Sequence, residues 1–98
     1  MKLDECRTKI DVIDAEIIAL LNRRGNVAKE IGVLKAKAGL PIIDSARERE
    51  VLRRVSRQNA GPVSDEAAAG IFNEILNASR NIQFETLAEL SKNGEIYK

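Results

Sequence analysis

The sequence predicts an all-α fold of three helices, on three observations. Apolar residues recur at alternating steps of three and four from Leu3 to Ala38, the rhythm of one helix face. Two short stretches, AGLP at 38–41 and NAGPVS at 59–64, hold both prolines together with Gly39 and Gly61, and divide the chain into three. Between them no segment shows the period-two alternation of a half-buried strand.

The first helix is expected over about 3–38. Its stripe runs through Leu3, Cys6, Ile10, Ile13, Ile17 and Leu20, then Val27, Ile31, Leu34 and Ala38. The second, about 44–59, opens on Asp44 as N-cap with Glu48 in its first turn, and turns Val51, Leu52 and Val55 inward. The third, about 65–91, is capped by Ser64, with Asp65 and Glu66 at its positive end. Its stripe passes through Ala68, Ile71, Phe72, Ile75 and Leu76, and resumes at Ile82, Thr86, Leu87 and Leu90. Residues 92–98 are expected to form a flexible tail, and the whole of 1–98 one domain.

The first helix is too long for that domain. Thirty-six residues extend about 54 Å at 1.5 Å per residue, whereas a domain of this length has a radius of gyration near 13 Å. The apolar stripe continues along the overhang, and a second helix of about 15 residues cannot cover it. The expectation is an intertwined homodimer, a helical bundle in which the long helices of two copies cover each other. Gly25 and Asn26, poor helix formers, mark the place where a kink would shorten the helix instead.

Composition narrows the function. The chain of 98 residues is 44% apolar and 32% charged, with a net charge of +1 that gives no overall pull toward nucleic acid or an anionic membrane. The arginines of RERE and RRVSR are offset by acids and lack interleaved aromatics. No apolar run approaches the roughly 20 residues of a membrane span, and the start MKLDECRTKID lacks a signal peptide's apolar segment. Cys6 is the single cysteine, and there is no histidine. Disulfides within the chain, Cys- or His-based metal sites and histidine-dependent triads are excluded, and no cofactor or metal is expected. A cytoplasmic protein is the default. If the chain is an enzyme, its catalysis comes mainly from positioning and fixed charge.

Polar residues interrupt the faces meant for burial. Arg24 falls on the first stripe, seven residues beyond Ile17, and Lys35 lies eleven further on, about 20° from the same azimuth. Ala28 and Gly32 between them leave the surface hollow, with Ile31 as a floor. On the second helix Arg47 is in phase with Val51 and Glu48 with Leu52 and Val55; on the third, Ser79 and Gln83 stand where the stripe should continue. Singly, each has an ordinary explanation. An in-phase arginine can fix the register of a helix pair or snorkel outward. Lys35 can be a solvated flank, Ser79 with Gln83 a buried hydrogen-bonded pair, and Arg7 a solvated charge. Together they leave Arg24, Lys35 and Arg47 facing only Glu48, and uncompensated buried charge is costly. The missing counter-charge is then a ligand's, a small dicarboxylate.

The segments CRTKIDVIDAEIIALL, RRGNVAKEIGVLK, PIIDSARERE and ILNASRNIQ together resemble the all-α type of chorismate mutase, over about residues 3–90. The spacing Arg24…Lys35…Asp44-x-x-Arg47-Glu48…Ser79-x-x-x-Gln83, with Arg7 upstream, carries the resemblance as a set. It implies an interlocked dimer and the Claisen rearrangement of chorismate to prephenate, on the route to phenylalanine and tyrosine. It also implies roles. Arg24 would hold one substrate carboxylate, and Arg7, from the partner subunit, the other. Lys35 and Gln83 would donate to the ether oxygen. Glu48 would take the ring hydroxyl with help from the backbone at Asp44, and Arg47 and Ser79 would support the carboxylate end. Two rivals stand beside this: a lyase that removes pyruvate from isochorismate on the same scaffold, and a non-catalytic helical dimerisation module.

Overall fold

The computed structural model describes residues 2–95. Three helices, α1 (Lys2–Ala38), α2 (Ser45–Gln58) and α3 (Asp65–Lys92), account for the regular structure, and among the described residues there is no strand. α3 is the shared partner and packs against both α1 and α2. The backbones of α1 and α2 do not approach each other directly, so a gap opens between them, floored by α3.

Small residues set the α1–α3 spacing. Ala28 and Gly32 are the buried residues of α1, one turn apart. A Cβ at Gly32 would stand 3.1 Å from the Thr86 Cβ and 3.2 Å from the Gln83 Cα. A Cβ at Gly25 would meet the Ile82 Cδ1 at 3.2 Å. α1 runs on without a break through Gly25 and Asn26, so the glycine that lowers helix propensity serves a close helix contact. Gly32→Val is expected to destabilise the fold by about 2 kcal/mol, because the branched side chain meets the Gln83 backbone as well as the Thr86 side chain. Denaturant unfolding measures it; an unchanged midpoint would mean the helices can part freely.

Each helix end is closed locally. Gly39, at φ 69°, ends α1: its N–H reaches the Ala36 carbonyl at 3.3 Å and the Leu40 N–H reaches the Lys35 carbonyl at 2.9 Å, a Schellman closure. The chain then turns back, and the side chain of Ile42 is buried. Asp44 caps α2 by accepting from the Arg47 N–H at 3.0 Å, and Ser64 caps α3 through the Ala67 N–H at 3.1 Å. Gly94, at φ 72°, repeats the glycine closure at the end of α3. Of the tail expected at 92–98, Lys92 is helical and residues 93–95 complete this turn; 96–98 lie outside the described residues.

The other half of α1 has nothing to rest on. Every described residue from Lys2 to Arg23 is exposed, including Leu3, Ile10, Ile13, Ile17 and Leu20 on the stripe. The chain measures 59 × 26 × 14 Å with a radius of gyration of 17.2 Å, against roughly 13 Å for a compact domain of this length. Among the described residues the buried apolar ones are Ala28, Ile42, Leu76 and Leu90, all beyond that bare half. Among the described residues, no helix is long and apolar enough to cross a membrane.

Candidate active site

The gap between α1 and α2 is a cavity of about 330 Å³. α1 contributes Arg24 and Lys35 to its wall, the α1–α2 connection Ile42 and Asp44, α2 Arg47 and Glu48, and α3 Ser79, Arg80 and Gln83. Val27, Ala28, Ile31, Val51 and Leu76 supply apolar surface between them. Seven of the eight residues singled out in the sequence thus border one space. Arg7 does not. It stands seventeen residues before Arg24, about 25 Å along the helix axis, on the exposed half of α1, too far to reach its own chain's cavity.

Local contacts hold these side chains in place. The Arg24 guanidinium donates to the Ser79 Oγ, tying α1 to α3 across the cavity wall. The Lys35 Nζ donates to the Ile42 carbonyl oxygen at 2.8 Å. That bond follows from the glycine closure at the end of α1, which brings the chain back past its own last turn. Lys35 has three N–H donors, so two remain for other partners. Gln83, one turn beyond Ser79, is only 7% exposed, and its Oε1 is buried without a hydrogen-bond partner. The orphan is the acceptor end of the amide, which stays buried and unpaired only at a cost unless a donor reaches it.

The acidic side of the site differs in detail from the sequence reading. Glu48 does not face the cations alone: Arg80 donates from Nη1 to its Oε1 and from Nη2 to the Asn77 Oδ1 at 3.2 Å. Arg47 sits at the rim, half exposed, with its guanidinium on Glu50. The sequence reading passed over Arg80, although it lies four residues beyond Leu76, in phase with the buried stripe of α3. Around the cavity stand four cations, Arg24, Lys35, Arg47 and Arg80, and two carboxylates, Asp44 and Glu48; with Arg47 paired to Glu50 outside the lining, one positive charge is left over from this chain. An anionic ligand would take it up.

Such a site can orient an anionic molecule and stabilise negative charge that develops on it. Among the described residues no cluster of His, Cys, Asp or Glu could hold a metal ion.

Comparison with known proteins agrees with the geometry. The family model described as "Chorismate mutase type II" matches residues 6–84. The chain is 42% identical over 86 residues to the bifunctional chorismate mutase/prephenate dehydratase of Aquifex aeolicus, covering 84% of this chain but 24% of that protein. The chain therefore spans about a quarter of that relative's length. It is 32% identical over 89 residues to the chorismate mutase of Methanocaldococcus jannaschii, covering 90% of each. The crystal structure of chorismate mutase from Helicobacter pylori in complex with prephenate superposes with a TM-score of 0.82 at 33% identity, covering 90% of this chain and 96% of that one.

Proposed function

The chain belongs to the type II chorismate mutase family, and on that footing we propose that it catalyses the rearrangement of chorismate to prephenate. The observation that carries the reading is the cavity itself, where Arg24 and Lys35, neither paired with a carboxylate, stand with Gln83 over an apolar floor. Chorismate brings two carboxylates and a ring.

The chemistry needs no nucleophile and no general base. One C–O bond breaks as one C–C bond forms, the electrons move in a ring, and no proton is transferred. Fixing both carboxylates selects the folded conformer in which the reacting carbons meet. Arg24, steadied by Ser79, holds one carboxylate, with Arg47 in support from the rim. Lys35 and Gln83 donate to the ether oxygen as its charge grows, and act most strongly in the transition state. Glu48 accepts from the ring hydroxyl, beside the backbone at Asp44.

The second carboxylate falls to Arg7 of a second copy. Its own cavity is out of reach, and the bare half of α1 is a surface that another α1, running antiparallel, would cover. Each copy's Arg7 would then lie beside the partner's cavity, in an intertwined homodimer. A cytoplasmic setting, inferred from the lone unpaired cysteine Cys6, completes the reading.

The test is the loss of chorismate ultraviolet absorbance on adding the purified chain, with the product identified and isochorismate run beside it. Prephenate is the expected product. Release of pyruvate from isochorismate alone would move the chain to the lyase, and no turnover of either would leave a dimerisation module. Gln83 offers a second check. As an amide it donates at any ordinary pH, whereas a carboxylic acid donates only when protonated. Gln83→Glu is therefore expected to retain activity at low pH and lose it progressively as pH rises, with the wild type flat over the same range. An equally active variant at neutral pH would remove the donor role.

A further inference from the structure

Arg80 lines the cavity, and neither the charge pattern of the sequence nor the reading above gives it a task. Its guanidinium is held at both ends, with Nη1 on the Glu48 carboxylate of α2 and Nη2 on Asn77, one turn back on its own helix. The pair joins two helices and is about three-quarters shielded, the side chains of Arg80 and Glu48 being 28% and 25% exposed. The Arg47–Glu50 and Arg54–Glu50 pairs, by contrast, lie within α2 with each side chain about half exposed, the kind of pair that contributes little.

We infer that Arg80 is the positioning residue of Glu48: it holds one carboxylate oxygen so that the other faces the cavity, and it keeps the acid away from Lys35 and Arg24. The physical case is one of competition. Glu48 is a flexible carboxylate on the wall of a cavity that also holds two cations of the proposed substrate site. Left to itself it would swing onto the nearest of them, and a lysine neutralised by a protein carboxylate is a poor donor to an ether oxygen. A guanidinium anchored on both sides supplies a stronger, directional partner outside that group. Asn77 fixes the fork, Arg80 fixes Glu48, and Glu48 is left with one oxygen for a hydroxyl donor. This deepens the chorismate reading and rests on it.

A double-mutant cycle on kcat/KM for chorismate tests the role. Arg80→Met keeps the aliphatic stem and removes the fork. In the wild-type background it is expected to lower kcat/KM about 20-fold, and in a Glu48→Gln background less than about 2-fold, because the residue acts through the acid. Arg80→Lys, which retains a charge for Glu48, should recover activity to within about 5-fold of wild type. Asn77→Ala should cost about 3-fold, again only while Glu48 is present. Thermal unfolding followed alongside separates lost function from lost fold; if Arg80→Met does not fold, the Lys and Asn77 variants carry the same comparison. Equal losses in both Glu48 backgrounds would make Arg80 a direct clamp or a structural residue and overturn the inference while leaving the mutase reading intact. A wild type that turns over no chorismate overturns both.

Discussion

Lys35→Ala is expected to lower kcat for chorismate about 10³-fold, the cost of removing a preorganised donor to a developing oxyanion. KM should move far less, since the ether oxygen gains charge only on the way to the transition state. The residue is placed before any ligand arrives. It belongs to the closing turn of α1, its carbonyl accepts from Leu40, and its Nζ rests on the Ile42 carbonyl at 2.8 Å. A donor held this way needs no reorganisation when the C–O bond stretches. Alanine keeps the helix and the glycine closure, because the Lys35–Leu40 bond uses backbone atoms alone, so the melting temperature should change little. A folded Lys35→Ala with wild-type kcat would reduce Lys35 to a fastener for the loop.

The largest structural effect is expected from Ile13→Glu combined with Ile17→Glu. These two residues lie in the middle of the bare stripe, each 48% exposed in the single chain. In a symmetric pair the change occurs twice, so four isoleucines are lost from the interface. Burying one such side chain from full exposure is worth about 1.5–3 kcal/mol and about half of each is already covered, which puts the loss near 3–6 kcal/mol before the cost of burying carboxylates is added. With that cost it is comparable with the whole stability of a small domain. The variant should therefore run as a monomer or unfold, and lose turnover in either case. Sedimentation reads this directly: wild type at twice the chain mass, the variant at once. A wild type that is monomeric and active would contradict the shared site outright.

Much of this was legible because burial is periodic. Helix phase alone exposed Arg24, Glu48, Ser79 and Gln83, since each sits on a stripe otherwise meant for the interior, and the length of α1 alone announced a surface without cover. The caps at Asp44 and Ser64 were equally readable, because a short polar side chain before a helix has one common use. Arg80 was not legible, although its phase with Leu76 was a signal. Its meaning depends on Glu48, 32 residues away on another helix, and pairing across helices leaves no period in a sequence. The helix was read through Gly25, but the use of that glycine was hidden for a related reason: propensity counts what a glycine costs its own helix, while its use lies in the Ile82 side chain opposite. Arg7 is the extreme case. On its own helix it is one solvated cation among several, and only the family resemblance, with a second chain, gives it a role.

The most direct test of a site built by two copies is to mix two disabled ones. Arg7→Ala and Arg24→Ala should each be nearly inactive alone, because every site then lacks one carboxylate clamp. In a mixed dimer one site has both arginines and the other neither. After random exchange at equal amounts half the dimers are mixed, so about a quarter of the wild-type chorismate-to-prephenate activity should return. Recovery to that level would place Arg7 and Arg24 of different chains in one site. Exchange proven by mass with no recovery, or either variant fully active by itself, would contradict it.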